Sequence, residues 1–445
     1  MTSSLTDRAH FDALADALCN AEGVDRVSLA FNAEASDFLR FNRAALRQAT
    51  HVLQAQATLG VVRGARRAEA SLVLSGDLAH DTRRLRDERA RLARDLDVIA
   101  DDPYLLLPAA ASLSTREDAG ALPSAQTVID AVREHAAALD FVGFYAGGPV
   151  VRAYADSLGS RHWHRVESFH FGWCVYRSAD KAVKTAYAGT HWDDAVFAAR
   201  VREAATRACL LQRPPRRLQP GAYRAAFSPA AMSELLGALA WSGFSLKARR
   251  TGVSSLMQLA HGDARLHASL HLHEATAEGI APAFTDDGFV KPASVTLIEG
   301  GCAIGTLNSP RSAREYFEAA NGASPEELPE ALSLGPGTLP HDQLLATLGT
   351  GLYVSNLWYL NYSDRQACRM TGMTRFACFW VEDGELAAPL DVMRFDDSFL
   401  RLFGQGLVGL TDRAELVPDT DTYQSRRLAS ITTPAAVVEG WRLTL

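Results

Sequence analysis

The chain has 445 residues, 47% hydrophobic and 22% charged, with a net charge of −7. That balance suits a soluble globular protein and excludes the concentrated basic face of a nucleic-acid binder. No window approaches the roughly 18 uninterrupted apolar residues of a membrane span. The amino terminus carries acids from Asp7 onward and lacks the apolar stretch of a secretory signal. The six cysteines lack any C-x-x-C spacing, so reduced thiols in a cytoplasmic protein are expected.

In chain order, residues 7–19 read as a helix, followed by strands at 27–31 and 37–42. Leu53, Ala55, Ala57, Leu59 and Val61 then alternate with Gln54, Gln56 and Thr58, the period of two that marks a half-buried strand. Ala68, Ala70, Leu72 and Leu74 repeat it. Leu78, Leu85, Leu92, Leu96 and Ile99 make one apolar stripe amid Arg and Asp, an amphipathic helix to residue 100. A second helix spans 124–139 with Ser124 as its N-cap. Strands are expected at 140–145, 150–154 and 168–177, and a third helix at 192–211.

The sharpest break is the run QRPPRRLQP at 212–220, whose tandem prolines can continue neither a helix nor a central strand. It divides the chain into residues 1–215, an α+β amino-terminal domain, and residues 221–445, a mostly antiparallel-β domain with a few helices. The fold class is therefore α+β. After the break, a strand at 222–227 leads to Ser228-Pro229, the cap and first position of a helix expected to reach 243. A further helix is expected at 312–320, and the Pro/Gly-rich passage 321–340 reads as a surface or partner-facing loop. Apolar runs at 352–360 and 376–381 follow, and Asp383-Gly384 after the second is a tight-turn signal. In the first run Tyr353, Leu357 and Tyr359 alternate with Val354, Trp358 and Leu360. Both faces are apolar, so one should meet the core and the other a chamber or partner.

The string GLYVSNLW (351–358) followed by GMTRFACFWVEDGE (372–385) resembles the carboxy-terminal domain of the TldD/PmbA family of peptidases. Ala283–Phe289 and the LGPG run at 334–337 resemble further family segments in the same order. Catalytic members carry an H-E-x-x-x-H signature whose two His bind zinc and whose Glu polarises the attacking water. Counting back from Gly252 in RRTGVS places that signature on Gly237, Ala238 and Ser242, none of them a ligand or a base. The resemblance is thus to the PmbA (TldE) branch, which lacks the metal signature. It implies no cofactor in this chain and pairing with a zinc-bearing TldD-like subunit, with zinc in that partner. The complex would enclose a chamber and cleave unfolded or small peptides, in peptide maturation among other roles, and the non-metal subunit would hold extended peptide by strand addition. Metal-bearing relatives supply a further Cys ligand near their end, where this chain has Tyr423, Gln424 and Ser425. The polar residues interrupting the apolar runs, Asn356, Asn361, Asp364 and Arg375, together with Trp358, are the candidate peptide or partner contacts.

Two other readings stay open. His267, His271 and His273 share odd-numbered positions and would line one face of a strand, where they could hold a metal in an autonomous hydrolase. His273-Glu274 only mimics the metal signature, since Pro282 and the Gly252 register leave no room for a helix. The other reading is a non-enzymatic binding or scaffold protein. His162, His164 and His170 with Trp163 and Trp173 read as a mixed aromatic and histidine surface of the amino-terminal sheet. No G-x-S-x-G elbow and no phosphate-loop spacing is present.

Overall fold

A computed structural model describes residues 5–178 and 181–444. The first half runs α1 (Arg8–Leu18), β1 (Arg26–Asn42), β2 (Ala45–Arg63), β3 (Arg66–Val73), α2 (Leu78–Asp95), β4 (Leu113–Asp118), α3 (Ala125–Ala136), β5 (Asp140–Asp156), β6 (Arg161–Ser178), β7 (Lys181–Gly189) and α4 (Asp194–Leu210). Its seven strands form one sheet in the order β3-β2-β1-β5-β6-β4, with β7 also on β6. Only β4 runs parallel to its neighbour. The expected strand pairs 27–31 with 37–42 and 140–145 with 150–154 are each one long strand, β1 and β5. β5 runs on through Gly147-Gly148-Pro149, in one register with β6 throughout and with β1 on either side of that step. Gly148 has φ 144°, and a Cβ there would meet Ala35 O at 2.0 Å.

The second half runs β8 (Gly221–Phe227), α5 (Pro229–Ala240), α6 (Leu246–Arg250), α7 (Met257–His261), β9 (Leu272–Glu274), β10 (Val295–Glu299), β11 (Cys302–Ala303), α8 (Pro310–Tyr316) and β12 (Ala331–Leu334). It continues with α9 (Leu344–Leu348), β13 (Gly351–Val354), β14 (Leu357–Asp364), β15 (Arg369–Thr374), β16 (Phe379–Glu382), β17 (Glu385–Pro389), β18 (Arg394–Ser398), α10 (Phe399–Leu402), β19 (Leu407–Pro418) and β20 (Ser430–Leu443). The thirteen strands form a second sheet with a main path β11-β10-β9-β12-β20-β8-β13-β16-β17. The fold is α+β with mostly antiparallel pairing, as the sequence predicts. No described helix is long and apolar enough to cross a membrane, and the six cysteines are unpaired.

Three expectations need correction. The passage 321–340 is not a surface loop: it contains β12, inserted between β9 and β20, with Ala331, Leu332 and Leu334 buried. Its Pro and Gly residues punctuate the ends of a four-residue strand whose two edges are both paired. The apolar run 352–360 is not one strand. Ser355-Asn356 breaks it, so β13 pairs with β16 while β14 pairs with β15. The helix expected to reach 243 stops at Ala240, because Ser242 adopts φ 73°. Asp383-Gly384 does close a hairpin, β16 to β17, with φ of 51° and 81°.

The two sheets share a core. Along β13, Leu352 and Val354 face the carboxy-terminal core while Tyr353 faces the other way. There Tyr353, with Ala226 of β8, Phe379 of β16 and Val437 of β20, packs in one cluster with Phe171, Trp173 and Phe197 of the first half. These central strands are buried on both faces, which explains their unbroken apolar runs. A separate core lies under α1 and α2, around Phe11, Leu29, Phe31, Leu59 and Leu85.

Candidate functional site

Helix α5 begins where Ser228 Oγ accepts the N–H of Ala231 at 3.1 Å and donates to Ser355 O at 2.6 Å. One hydroxyl thus caps the helix and fixes the Ser355-Asn356 break between β13 and β14. Two turns along, α5 presents Glu234 to that break. Its Oε2 accepts the N–H of Leu357, and its Oε1 lies 3.8 Å from Lys184 Nζ, which reaches across from β7. Burial raises the Glu234 pKa, and the Leu357 N–H, Lys184 and the Asn356 side chain oppose the rise. Lys184 also lies 5.5 Å from the ring centre of Phe376.

Around this ion pair stands a partly exposed aromatic and cationic surface. The Arg375 guanidinium covers Trp358 at 4.2 Å and Phe376 at 5.8 Å. Trp358 is 38% exposed and its neighbour Tyr359 77%, with ring centres 5.2 Å apart. Tyr359 and Phe376 hold φ of 57° and 58°, costly for aromatic residues. At Tyr359 the β14–β15 ladder jumps from Trp358 to Asn361, so two residues of β14 lack a cross-strand partner in the register. Cys378 beneath is inert: burial pushes its thiol up to about 11, and Sγ lies 3.2 Å from Arg375 O.

The structure brings Trp358 and Arg375 together, buries Asn356 against Glu234, and leaves out two other candidates. Asn361 Oδ1 accepts the N–H of the next residue, Tyr362, and Asp364 Oδ1 accepts that of Ala367, local roles at the strand and its turn. Glu234, Lys184 and Phe376 were missed as site residues. A lone Glu inside the apolar run PAAMSELLGALA is the signal that could have found the first; nothing local marks Lys184.

At the other end of α5 stand the positions where zinc ligands would fall. Gly237 faces Ile431, and Ser242 lies beyond the helix with its Oγ accepting from Arg365 at 3.2 Å. Arg365 in turn covers Trp241 and Tyr362, whose hydroxyl donates to Ala238 O at 3.0 Å. Gly237 and Ala238 offer no donor and Ser242 is already engaged, so these residues do not fit a zinc ion.

The histidines differ from expectation. Only His273 of the trio lies on a strand. His267 sits in a turn with Nδ1 against Ser269, while His271 and His273 face Glu299 at 3.1 and 3.9 Å. The face of three histidines therefore does not form, because His267 stands apart, and no three potential metal ligands converge among the described residues. His162, His164 and His170 are not surface residues but buried, because the segment around Ile280 and Phe284 covers their face of β6. Burial lowers the His164 and His170 pKa values to about 4, leaving both neutral at pH 7. Trp163 and Trp173, on the opposite face, fill the cores.

Residues 220–444 match the PmbA/TldA metallopeptidase C-terminal domain. The whole fold is similar to that of TldE from Thermococcus kodakarensis, with a TM-score of 0.81 at 13% identity over 98% of this chain and 100% of that one. A Thermotoga maritima protein described as a candidate modulator of a DNA gyrase superposes with a TM-score of 0.77 at 15% identity, over 98% and 99% of the two chains. A Bacteroides thetaiotaomicron protein of like description gives 0.72 at 14%, over 99% and 98%. No curated protein sequence matches the chain.

Proposed function

Because the chain belongs to the PmbA/TldA metallopeptidase family, we propose that it serves peptide-bond hydrolysis as a subunit that holds peptide without cleaving it. The observation that carries this reading is a pair of features along one helix. Where relatives would place zinc, the last turn of α5 and the residues after it offer only Gly237, Ala238 and Ser242. From the middle of the same helix, Glu234 pairs with Lys184 beside the partly exposed surface of Trp358, Tyr359, Phe376 and Arg375. Zinc and the activated water belong to a homologous TldD-like partner that carries H-E-x-x-x-H. Substrate is extended polypeptide: aromatic faces take side chains, while the unpartnered backbone of β14 offers hydrogen bonds without sequence preference.

The test mixes this chain with an H-E-x-x-x-H homologue and measures complex mass and cleavage of an unstructured peptide. We expect a heteromer, cleavage only when both chains are present, and no chelator-sensitive cleavage by this chain alone. Trp358→Ala and Arg375→Ala should lower cleavage about tenfold, equivalent to about 1.4 kcal/mol of binding. Since Trp358 is exposed, its replacement should cost about 1 kcal/mol of stability rather than the 3–5 of a buried Trp. Absence of any mass change on mixing, or metal-dependent cleavage by the isolated chain, refutes the assignment.

A further inference from the structure

Segment 419–429, between β19 and β20, inserts Arg426 into the amino-terminal sheet. The side chain is 3% exposed, and its guanidinium donates to Gly148 O, Ser168 O and Ser168 Oγ at 2.9, 2.7 and 2.9 Å. All three acceptors are neutral. Among the described residues no carboxylate lies within 4 Å of the guanidinium. Glu34 is the acid that most favours its charge, yet that carboxylate is held by Ser36, Gln54 and the Arg426 backbone N–H. Burial lowers the Arg426 pKa only to about 10, so the cation persists at neutral pH. A buried charge with such weak compensation is costly unless an anion reaches it.

Beside it lies a small open-mouthed cavity between β6 and the end of β19, with room for a water-sized occupant. Arg426 and His170 line it, the latter 5% exposed. Both bring a buried polar atom with no protein partner: Arg426 Nε and His170 Nε2. Arg427 and Asp419, both exposed, also line it, and Asp419 Oδ1 already accepts the Asp421 N–H at 2.9 Å. An unpaired cationic N–H and an unpaired imidazole nitrogen at one cavity call for a shared partner.

We propose that this cavity is a binding site for a single small anion of the carboxylate or halide class, held by Arg426 Nε–H and His170 Nε2–H. The anion ties segment 419–429 to the amino-terminal sheet. This assignment stands apart from the peptide surface of β14 and survives if that one fails.

The experiment uses the full chain. Thermal melts at fixed ionic strength titrate sodium formate and sodium chloride against sodium gluconate, whose anion is too bulky to enter. We expect a saturable rise in Tm of about 3 °C with formate or chloride and none with gluconate. Arg426→Gln should abolish it. His170→Phe, which keeps the ring and loses the donor, should weaken it about tenfold, so the assignment stays testable if the first variant does not fold. A crystal grown in sodium bromide should show an anomalous peak between the two nitrogens, and displacement of that peak by formate identifies a carboxylate as the preferred occupant. A salt response that is linear and identical in both variants, or a cavity holding water alone in the bromide crystal, overturns the proposal.

Discussion

Glu274 on β9 shows how burial alone can give a side chain an unusual titration. It is 7% exposed, and its Oε1 accepts the N–H groups of Glu330 and Ala331, both at 3.0 Å. Its Oε2 has no partner among the described residues. Burial raises its pKa to about 7, restrained by those N–H groups and by Lys291, with Glu330 adding to the rise. The folded chain then binds more protons than the unfolded one between its ordinary value of 4.5 and about 7, so stability falls as pH rises through that window. Glu274→Gln keeps the Oε1 acceptor and removes the charge. We expect the variant to match the parent near pH 4 and to exceed it at pH 8 by about 3 kcal/mol at most. Denaturant unfolding across that range reads the difference, and two parallel profiles would contradict the account.

Helix α5 depends on its capping residue, Ser228, more than its own length requires. Ser228→Ala removes the cap of Ala231 and also frees Ser355 O, so the loss should exceed the usual 1 kcal/mol of a cap and reach about 2–3 kcal/mol. Equilibrium unfolding measures it, and Ser228→Thr should recover most of the loss. A cost below about 0.5 kcal/mol for Ser228→Ala would show that Ser355 is held by something else. Caps such as Ser124 and Ser228 were legible in the sequence because a capping hydroxyl acts within three residues. So were β3, the hairpin at Asp383-Gly384 and the amphipathic α2, whose signals are equally local. Strands β4 and β7 were not, since each owes its existence to pairing with β6 rather than to its own pattern. Of the candidate site, Arg375 stood out as a polar interruption of the apolar runs and Trp358 as an aromatic member of one. Lys184 lies far away in the chain, and only tertiary packing brings it to Glu234.

At the scale of the whole molecule, the composition break at 212–220 separates stretches of chain but not cores. Ala226, Tyr353, Phe379, Val381 and Val437 from beyond it pack in one cluster with Phe141, Phe171, Trp173 and Phe197 from before it. The full chain should therefore unfold in one cooperative transition, with calorimetric and van't Hoff enthalpies in agreement. Residues 1–215 alone should expose that apolar layer and fail to give dispersed side-chain resonances. Two separable calorimetric transitions would mean that the layer couples the halves weakly. The same layer sets how a ligand can come and go. Prising the halves apart would wet several large side chains at about 1.5–3 kcal/mol each, on the order of 10 kcal/mol in all, a motion too rare to serve turnover. The molecule is a fixed wall and not a jaw. Under the proposed function, the lifetime of the contact with the metal-bearing subunit becomes the gate, and the rate at which peptides are admitted should track subunit exchange.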